Sequence, residues 1–346
     1  IDQEGFWSRD GVHWDSHRIG WAVSGGMAAL TTIISLTSIT LHLRSYFVPR
    51  EQRQIVRILL MPPVYAIVSF FSYRYYRSYI YYELAQVAYE AVAIAAFLML
   101  LIEYIGNGEG NEDGLLKEVG KRKIPIPFCC IRFRPSKPYF MHALKWSVLQ
   151  YVIIRPLLSI IGIICEAYDV LCSQIYSVHF AEVYIEAVDF VSLTVALYGL
   201  ITFYALCKDR LKGRQPLSKF LSIKMIVAVV FYQGFIFSAV LDKHGVLKAT
   251  DFWTSSNIAD GLNALCICCE MVLFSLWMSF AFPSTEYRLN LHAKPSQIPL
   301  THHHHHSNHT PFFRSLIDVL NVWDFVKDMW LGVVFLYDYV RGIPET

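Results

Sequence analysis

Residues 179–207 read HFAEVYIEAVDFVSLTVALYGLITFYALC, an almost unbroken apolar run that carries Glu182, Glu186 and Asp189 in its first third. As a helix it would be on the order of 40 Å long, against a hydrocarbon core of roughly 30 Å, so it crosses a bilayer with tilt. The spacings of four and three place the three carboxylates on one face. Acids inside a membrane are costly and turn toward something polar. That face is either the wet mouth of a helix bundle or part of a solute or ion pathway.

Six further apolar runs flank this one: 19–43, 55–73, 83–106, 146–168, 218–241 and 256–282. Each reads as a transmembrane helix. Pro62 and Pro63 interrupt the second, and a kink is expected there. The composition agrees: 55% of the 346 residues are hydrophobic and 17% charged, where soluble chains carry about a quarter charged. The expected fold class is all-α, a polytopic seven-transmembrane-helix bundle with a C-terminal amphipathic interfacial helix. Residues 1–18 read as an extracytosolic N-terminal segment without a signal peptide, 19–282 as the transmembrane domain, 283–310 as a His-containing linker and 311–346 as the cytosolic amphipathic helix. A formal net charge of +2 gives no reason to expect nucleic acid as a partner.

Lysine and arginine set the orientation. The first, third and fifth loops hold Arg44, Arg50 and Arg53, then Lys117 to Lys145 with eight basic residues, then Lys208, Arg210, Lys212, Arg214 and Lys219. The opposite side is poor in them, so the N-terminus lies outside and the C-terminus in the cytosol. Cys129 and Cys130 sit in the third loop beside Arg132 and Arg134. An adjacent thiol pair next to a basic patch at a membrane is a candidate for palmitoylation, against the alternative of two free thiols. Cys266, Cys268 and Cys269 read as small buried hydrophobes, and Cys165 and Cys172 lie close enough to the outer face to leave a bridge open. His302 to His306 read as a low-complexity linker. No spacing suggests a metal site, a cofactor or an enzyme: there is no phosphate loop, His-Glu-x-x-His helix or nucleophile elbow.

Glu90, Arg155, Glu186, Asp189 and Glu270 fall deep within their spans, and Lys224 nearer the cytosolic end. A guanidinium at that depth needs a carboxylate, with Glu90, Glu186, Asp189 and Glu270 as candidates. The pair either ties packed helices together or belongs to a solute site. Lys224 either snorkels or holds an acidic head group. Tyr73, Tyr75, Tyr76, Tyr79, Tyr81 and Tyr82 crowd the outer ends of the second and third spans, as an interfacial belt or as a mouth for flat apolar solutes such as sterols.

A set of ordered motifs has the look of a known family. Arg57-Ile58-Leu59, Pro63-Val64-Tyr65, Tyr89-Glu90-Ala91, Glu103-Tyr104-Ile105-Gly106 and Cys129-Cys130 come first. Leu149-Gln150, Arg155-Pro156-Leu157, Ala196-Leu197-Tyr198, Lys219-Phe220 with Lys224, Gln233-Gly234 and Glu270-Met271 follow. Over about 19–282 the chain resembles the transmembrane protein 184 family, also called the organic solute transporter alpha-subunit family, with its plant Lazarus-type members. Arg155 keeps the family's basic residue before proline, whereas Tyr232 stands where the family has Trp. The resemblance implies seven helices with the N-terminus out. In the animal branch it implies facilitated movement of bile acids and steroid conjugates with a small single-span beta subunit.

The expected function is thus a transporter or lipid/sterol-binding protein for amphipathic anionic organic solutes, with a groove among the third to seventh helices. In it Arg155 and Lys224 meet the anionic head while Glu90, Gln233 and Glu270 shape the groove, and Glu186 and Asp189 partner Arg155 or tune an outer vestibule. The alternative is a seven-helix receptor or a signalling or trafficking scaffold. Expected partners are membrane lipids or sterols, the solute, and a second copy or a small single-span subunit. The expected location is the plasma membrane or an endosomal or vacuolar membrane.

Overall fold

In a lipid environment every backbone donor and acceptor has to be satisfied within its own segment, which leaves the helix as the form available to these apolar runs. The computed structural model describes residues 16–75, 78–106, 122–123, 132–133, 138–168, 170–171, 179–207, 216–237 and 255–287, with single positions at 319, 327, 330, 334, 337 and 341. The helices are α1 (Ser16–Arg44), α2 (Pro49–Leu59), α3 (Met61–Arg74), α4 (Tyr79–Gly106), α5 (Pro138–Ala167), α6 (Ala181–Cys207), α7 (Pro216–Phe235) and α8 (Ser255–Ala281). Among the described residues seven helical stretches are long and apolar enough to cross a membrane, α2 and α3 counting as one. Two-residue strands, β1 (Arg122–Lys123) and β2 (Arg132–Phe133), pair antiparallel in the loop between α4 and α5.

The two proline interruptions behave differently. At Pro62-Pro63 two successive backbone donors are missing, and the helix breaks at Leu60 into α2 and α3, with proline serving the first turn of α3. At Pro156 one donor is missing, and α5 runs through it. The second and third spans are the most buried of the seven. Large apolar side chains such as Ile33, Phe190, Leu273 and Phe280 stand exposed, as expected of helices that face lipid tails rather than water.

The chain divides into two compact units. The first takes Ile1–Leu41, Ile58–Glu90 and Leu217–Pro283, and so holds most of α1, α3, the first part of α4, α7 and α8. Here α3 packs along α8, where the Cys268 thiol points at the Ala66 carbonyl at 3.5 Å. The α1 face opposite α3 is built of glycine: Gly20 lies against the Tyr73 ring and Gly25 against Phe70, which lets the aromatic rings reach the backbone. The Tyr73 hydroxyl donates to the His17 carbonyl at 3.3 Å.

The second unit takes His42–Arg57, Ala91–Pro216 and Ser284–Thr346. Its helices α5 and α6 pack side by side, and Gly199 of α6 meets the Ser147 hydroxyl of α5. The α2 part of this unit is short and polar, yet Glu51, Gln52, Gln54 and Arg57 are all buried. Each is bonded. Gln52 donates to the Ser45 carbonyl at 2.6 Å and accepts the Val48 N–H at 3.0 Å; Glu51 accepts the Tyr287 hydroxyl at 2.9 Å. Arg57 donates to the Gln54 side chain at 3.0 Å and to the Val319 carbonyl at 3.2 Å. Cys129, Cys130, residues 1–15 and the histidine tract lie outside the described residues, as does most of 311–346.

A Cβ on residue 199 would overlap the Ser147 Oγ. Overpacking of a closed helix contact costs about 1–3 kcal/mol. Gly199→Leu is therefore expected to lower the melting temperature of the purified chain, Gly199→Ala less so, and Ser147→Ala should recover part of the Gly199→Ala loss. A Gly199→Leu protein that melts like the parent would show that the α5–α6 contact is not this close.

Candidate functional site

The ionisable side chains inside the spans are brought together in two places, one in each unit. In the first unit α4 presents Tyr79, Glu83, Gln86 and Glu90 at spacings of four, three and four, one face of its N-terminal half. Gln86 accepts a hydrogen bond from the Ser69 hydroxyl of α3 at 3.2 Å. Tyr79 accepts from the Asn263 amide of α8 at 2.7 Å, and Asn263 in turn receives the Gln233 amide of α7 at its side-chain oxygen, 3.0 Å, and at its carbonyl, 3.1 Å. Three helices are tied by this chain of amides. Deeper, roughly 16 Å along α4 from Tyr79, Glu90 meets Lys224 of α7. The Lys224 Nζ stands 3.8 Å from Glu90 Oε1, with both side chains largely buried. Glu270 of α8 belongs to the same unit, and its Oε2 is buried with no hydrogen-bond partner among the described residues.

In the second unit Arg155 of α5 binds Asp189 of α6, NH1 to Oδ1 at 2.7 Å, with side-chain exposures of 20% and 14%. One turn further in, Gln150 and Ser192 exchange two hydrogen bonds: the Gln150 amide donates to the Ser192 carbonyl and the Ser192 hydroxyl donates to Gln150 Oε1, both at 2.8 Å. Of the four carboxylates open to Arg155 on sequence grounds, the structure places Asp189 against it. Glu186 is exposed on the same helix, and Glu182 lies within electrostatic range of Glu186, Glu166 and Arg155. Cys165 is a free thiol, and Cys172 lies outside the described residues. No group of three His, Cys, Asp or Glu among the described residues has the arrangement of a metal site.

A family model described as organic solute transporter Ostalpha matches residues 20–287. The chain belongs to the organic solute transporter alpha family. It is a multi-pass membrane protein with the transporter-like domain of that family, and the match overlaps each of the seven stretches that, among the described residues, are long and apolar enough to cross a membrane. No solved structure matches the chain.

Within this Ostalpha-family domain the residues singled out by depth fall into two groups: Glu90, Lys224, Gln233 and Glu270 in the first unit, Arg155, Asp189 and Glu186 in the second. Asn263 and Tyr79 join them, and sequence reasoning missed both as site residues. Tyr79 was one tyrosine of a belt of six, and Asn263 one polar residue in an apolar helix. The periodic signal that would have found them is the 79-83-86-90 stripe on α4, which demands a polar neighbour on whatever helix packs against it.

Removing one member of the Arg155–Asp189 pair takes the nearest counter-charge from a mostly buried group, a loss of at most about 3–5 kcal/mol, whereas replacing both by apolar residues costs less. Asp189→Leu and Arg155→Leu alone are expected to fold poorly, and the double variant to melt closer to the parent. Equal and additive losses in this double-mutant cycle would mean that the two charges do not depend on each other.

Proposed function

We propose that this protein moves amphipathic anionic organic solutes across the membrane, and that Lys224 receives the anionic head. One observation carries the reading: the separation of 3.8 Å between Lys224 and Glu90. A tight charge-assisted hydrogen bond between ammonium and carboxylate closes to about 2.7–2.9 Å. Arg155 and Asp189 form an ion pair at 2.7 Å, whereas Lys224 and Glu90 stand 3.8 Å apart. An anionic oxygen entering beside Nζ shares the Lys224 charge with Glu90.

Each neighbouring group then has a physical task. Glu90 balances Lys224 when no solute is present and keeps the site neutral, which a charge at this depth requires. The amides of Gln233 and Asn263 lie toward the outer end of the unit and supply donors and acceptors to the polar part of a solute. Glu270, a half-buried carboxylate at mid-helix, repels anions from its own side of α8 and so gives the passage a polarity. Arg155 has a different role here, holding α5 to α6 through Asp189. The apolar body of the solute is accommodated by the lipid-facing surfaces that the helices already expose.

The test is uptake of a radiolabelled sulfated steroid into liposomes holding the purified full-length chain, with and without a candidate single-span partner subunit. Lys224→Gln is expected to lower uptake about ten-fold, equivalent to 1.4 kcal/mol. Glu90→Gln should lower KM for the anion by removing its competitor. The Glu90→Gln, Lys224→Gln double variant is neutral and should fold while remaining inactive. Uptake unchanged in the double variant would refute Lys224 as the anion site. Saturable binding without uptake by the parent would favour a receptor or scaffold.

A further inference from the structure

Tyr79 opens α4, Asn263 stands early in α8 and Gln233 lies in the last turn of α7, so the hydrogen bonds that join them mark the end of the first unit where α4 and α8 begin and α7 finishes. Asn263 is the middle of this chain and is 4% exposed. Its amide nitrogen donates to the Tyr79 hydroxyl at 2.7 Å, while its side-chain oxygen and its backbone carbonyl receive the Gln233 amide. One side chain from α8 thus bridges α4 and α7. The Lys224–Glu90 pair lies deeper on the same two helices. Glu90 follows Tyr79 by eleven residues and Lys224 precedes Gln233 by nine, which sets the pair about 13–17 Å from Asn263 along the helix axes. Between the two levels the polar face of α4 is shielded, for Gln86 and Glu90 are each 5% exposed.

Three features let this joint open. Gly234 places no side chain beside the Asn263 amide: a Cβ there would stand 3.5 Å from Nδ2, so the amide has room to turn. Just past it α7 leaves α-helical geometry in a π turn at Ile236 and Phe237, a rare form that occurs as single turns at functional sites. The bonds themselves run between neutral groups, and such bonds are exchanged for those of water or of a polar guest at small net cost. Arg155 and Asp189, by contrast, hold α5 to α6 through opposite charges.

We infer that Asn263 is a gate: held to Tyr79 and Gln233 it closes the Lys224 site to the side of the membrane on which α4 begins, and turned away from them it opens the site to that side. The inference rests on the reading of Lys224 as the anion site. In passing, the polar groups of the solute take the places of Asn263 on the Tyr79 hydroxyl and the Gln233 amide.

The native Lys224 amine reports the state of the gate. The full-length chain in phosphatidylcholine liposomes is treated from outside with a sulfonated succinimidyl acetate, which acylates amines and does not cross the bilayer, and each lysine is followed by mass. Lys243 and Lys248, which follow α7 in the sequence, count the chains that present this side to the reagent, and Lys117 and Lys121, which follow α4, count those turned the other way. Relative to Lys243 and Lys248, Lys224 is expected to react slowly in the parent and several-fold faster in Asn263→Ala. Tyr79→Phe removes one hydroxyl and keeps the ring; it should act in the same direction and guards against misfolding of the alanine variant. Lys224 reacting as fast as Lys243 in the parent, or equally slowly in both variants, overturns the inference. The labelling needs no solute, so it fails or succeeds separately from the steroid uptake that tests Lys224 as the anion site.

Discussion

A charge that enters the hydrocarbon region has to be neutralised by a partner fixed on a neighbouring helix, because no water is there to do it. Much of the packing in this protein follows from that requirement. Arg155 cannot be held at its depth unless α6 brings Asp189 to it, and the two helices meet along a line where Gly199 removes the side chain that would keep them apart. The double hydrogen bond between Gln150 and Ser192 lies on the same contact. Ion pair, glycine and amide bridge thus fix one register between α5 and α6, and sliding either helix by a turn would break all three.

The same demand explains the polar burial in α2. Its sequence, PREQRQIVRIL, looks like a solvated basic loop entering a span, and the apolar run was accordingly expected to start at Ile55. Instead Glu51, Gln52, Gln54 and Arg57 turn inward and find partners on the α1–α2 connection, on Tyr287 and on Val319. Hydropathy alone cannot reveal this, since a polar residue bonded to backbone carbonyls from distant parts of the chain has the same composition as one in water. The number of spans and their approximate limits depend only on apolar length and were legible. So was a disturbance near Pro62-Pro63, expected as a kink and found as a break at Leu60, because the loss of two consecutive backbone donors is a local property.

The buried ionisable residues of the candidate site could be picked out by type from the sequence, and their pairing less so. Depth along a helix follows from counting, which is why Glu90, Arg155, Asp189 and Glu270 stood out. Which carboxylate faces which cation depends on helix rotation and on which helices are neighbours. Asp189 rather than Glu186 meets Arg155 although the two are less than one turn apart on α6, for a shift of three residues swings a side chain by about 60° around the helix. Tyr79 and Asn263 were hidden for the same reason, each meaningful only beside the other.

The two ion pairs also differ in what they permit. A guanidinium is a planar, delocalised cation, and here its NH1 stands 2.7 Å from Asp189 in a close ion pair. An ammonium is close to a point charge with three rotatable donors and sets no plane. At 3.8 Å, Lys224 is stabilised by Glu90 through the field rather than through one directed bond, and a field of that kind changes little as a second anion approaches from another side. A transporter needs a site that is neutral when empty and tolerant of a guest, and lysine suits that requirement as arginine suits the structural pair. Under the proposed function, the division of labour between Arg155 and Lys224 rests on the chemistry of the two cations as much as on their positions.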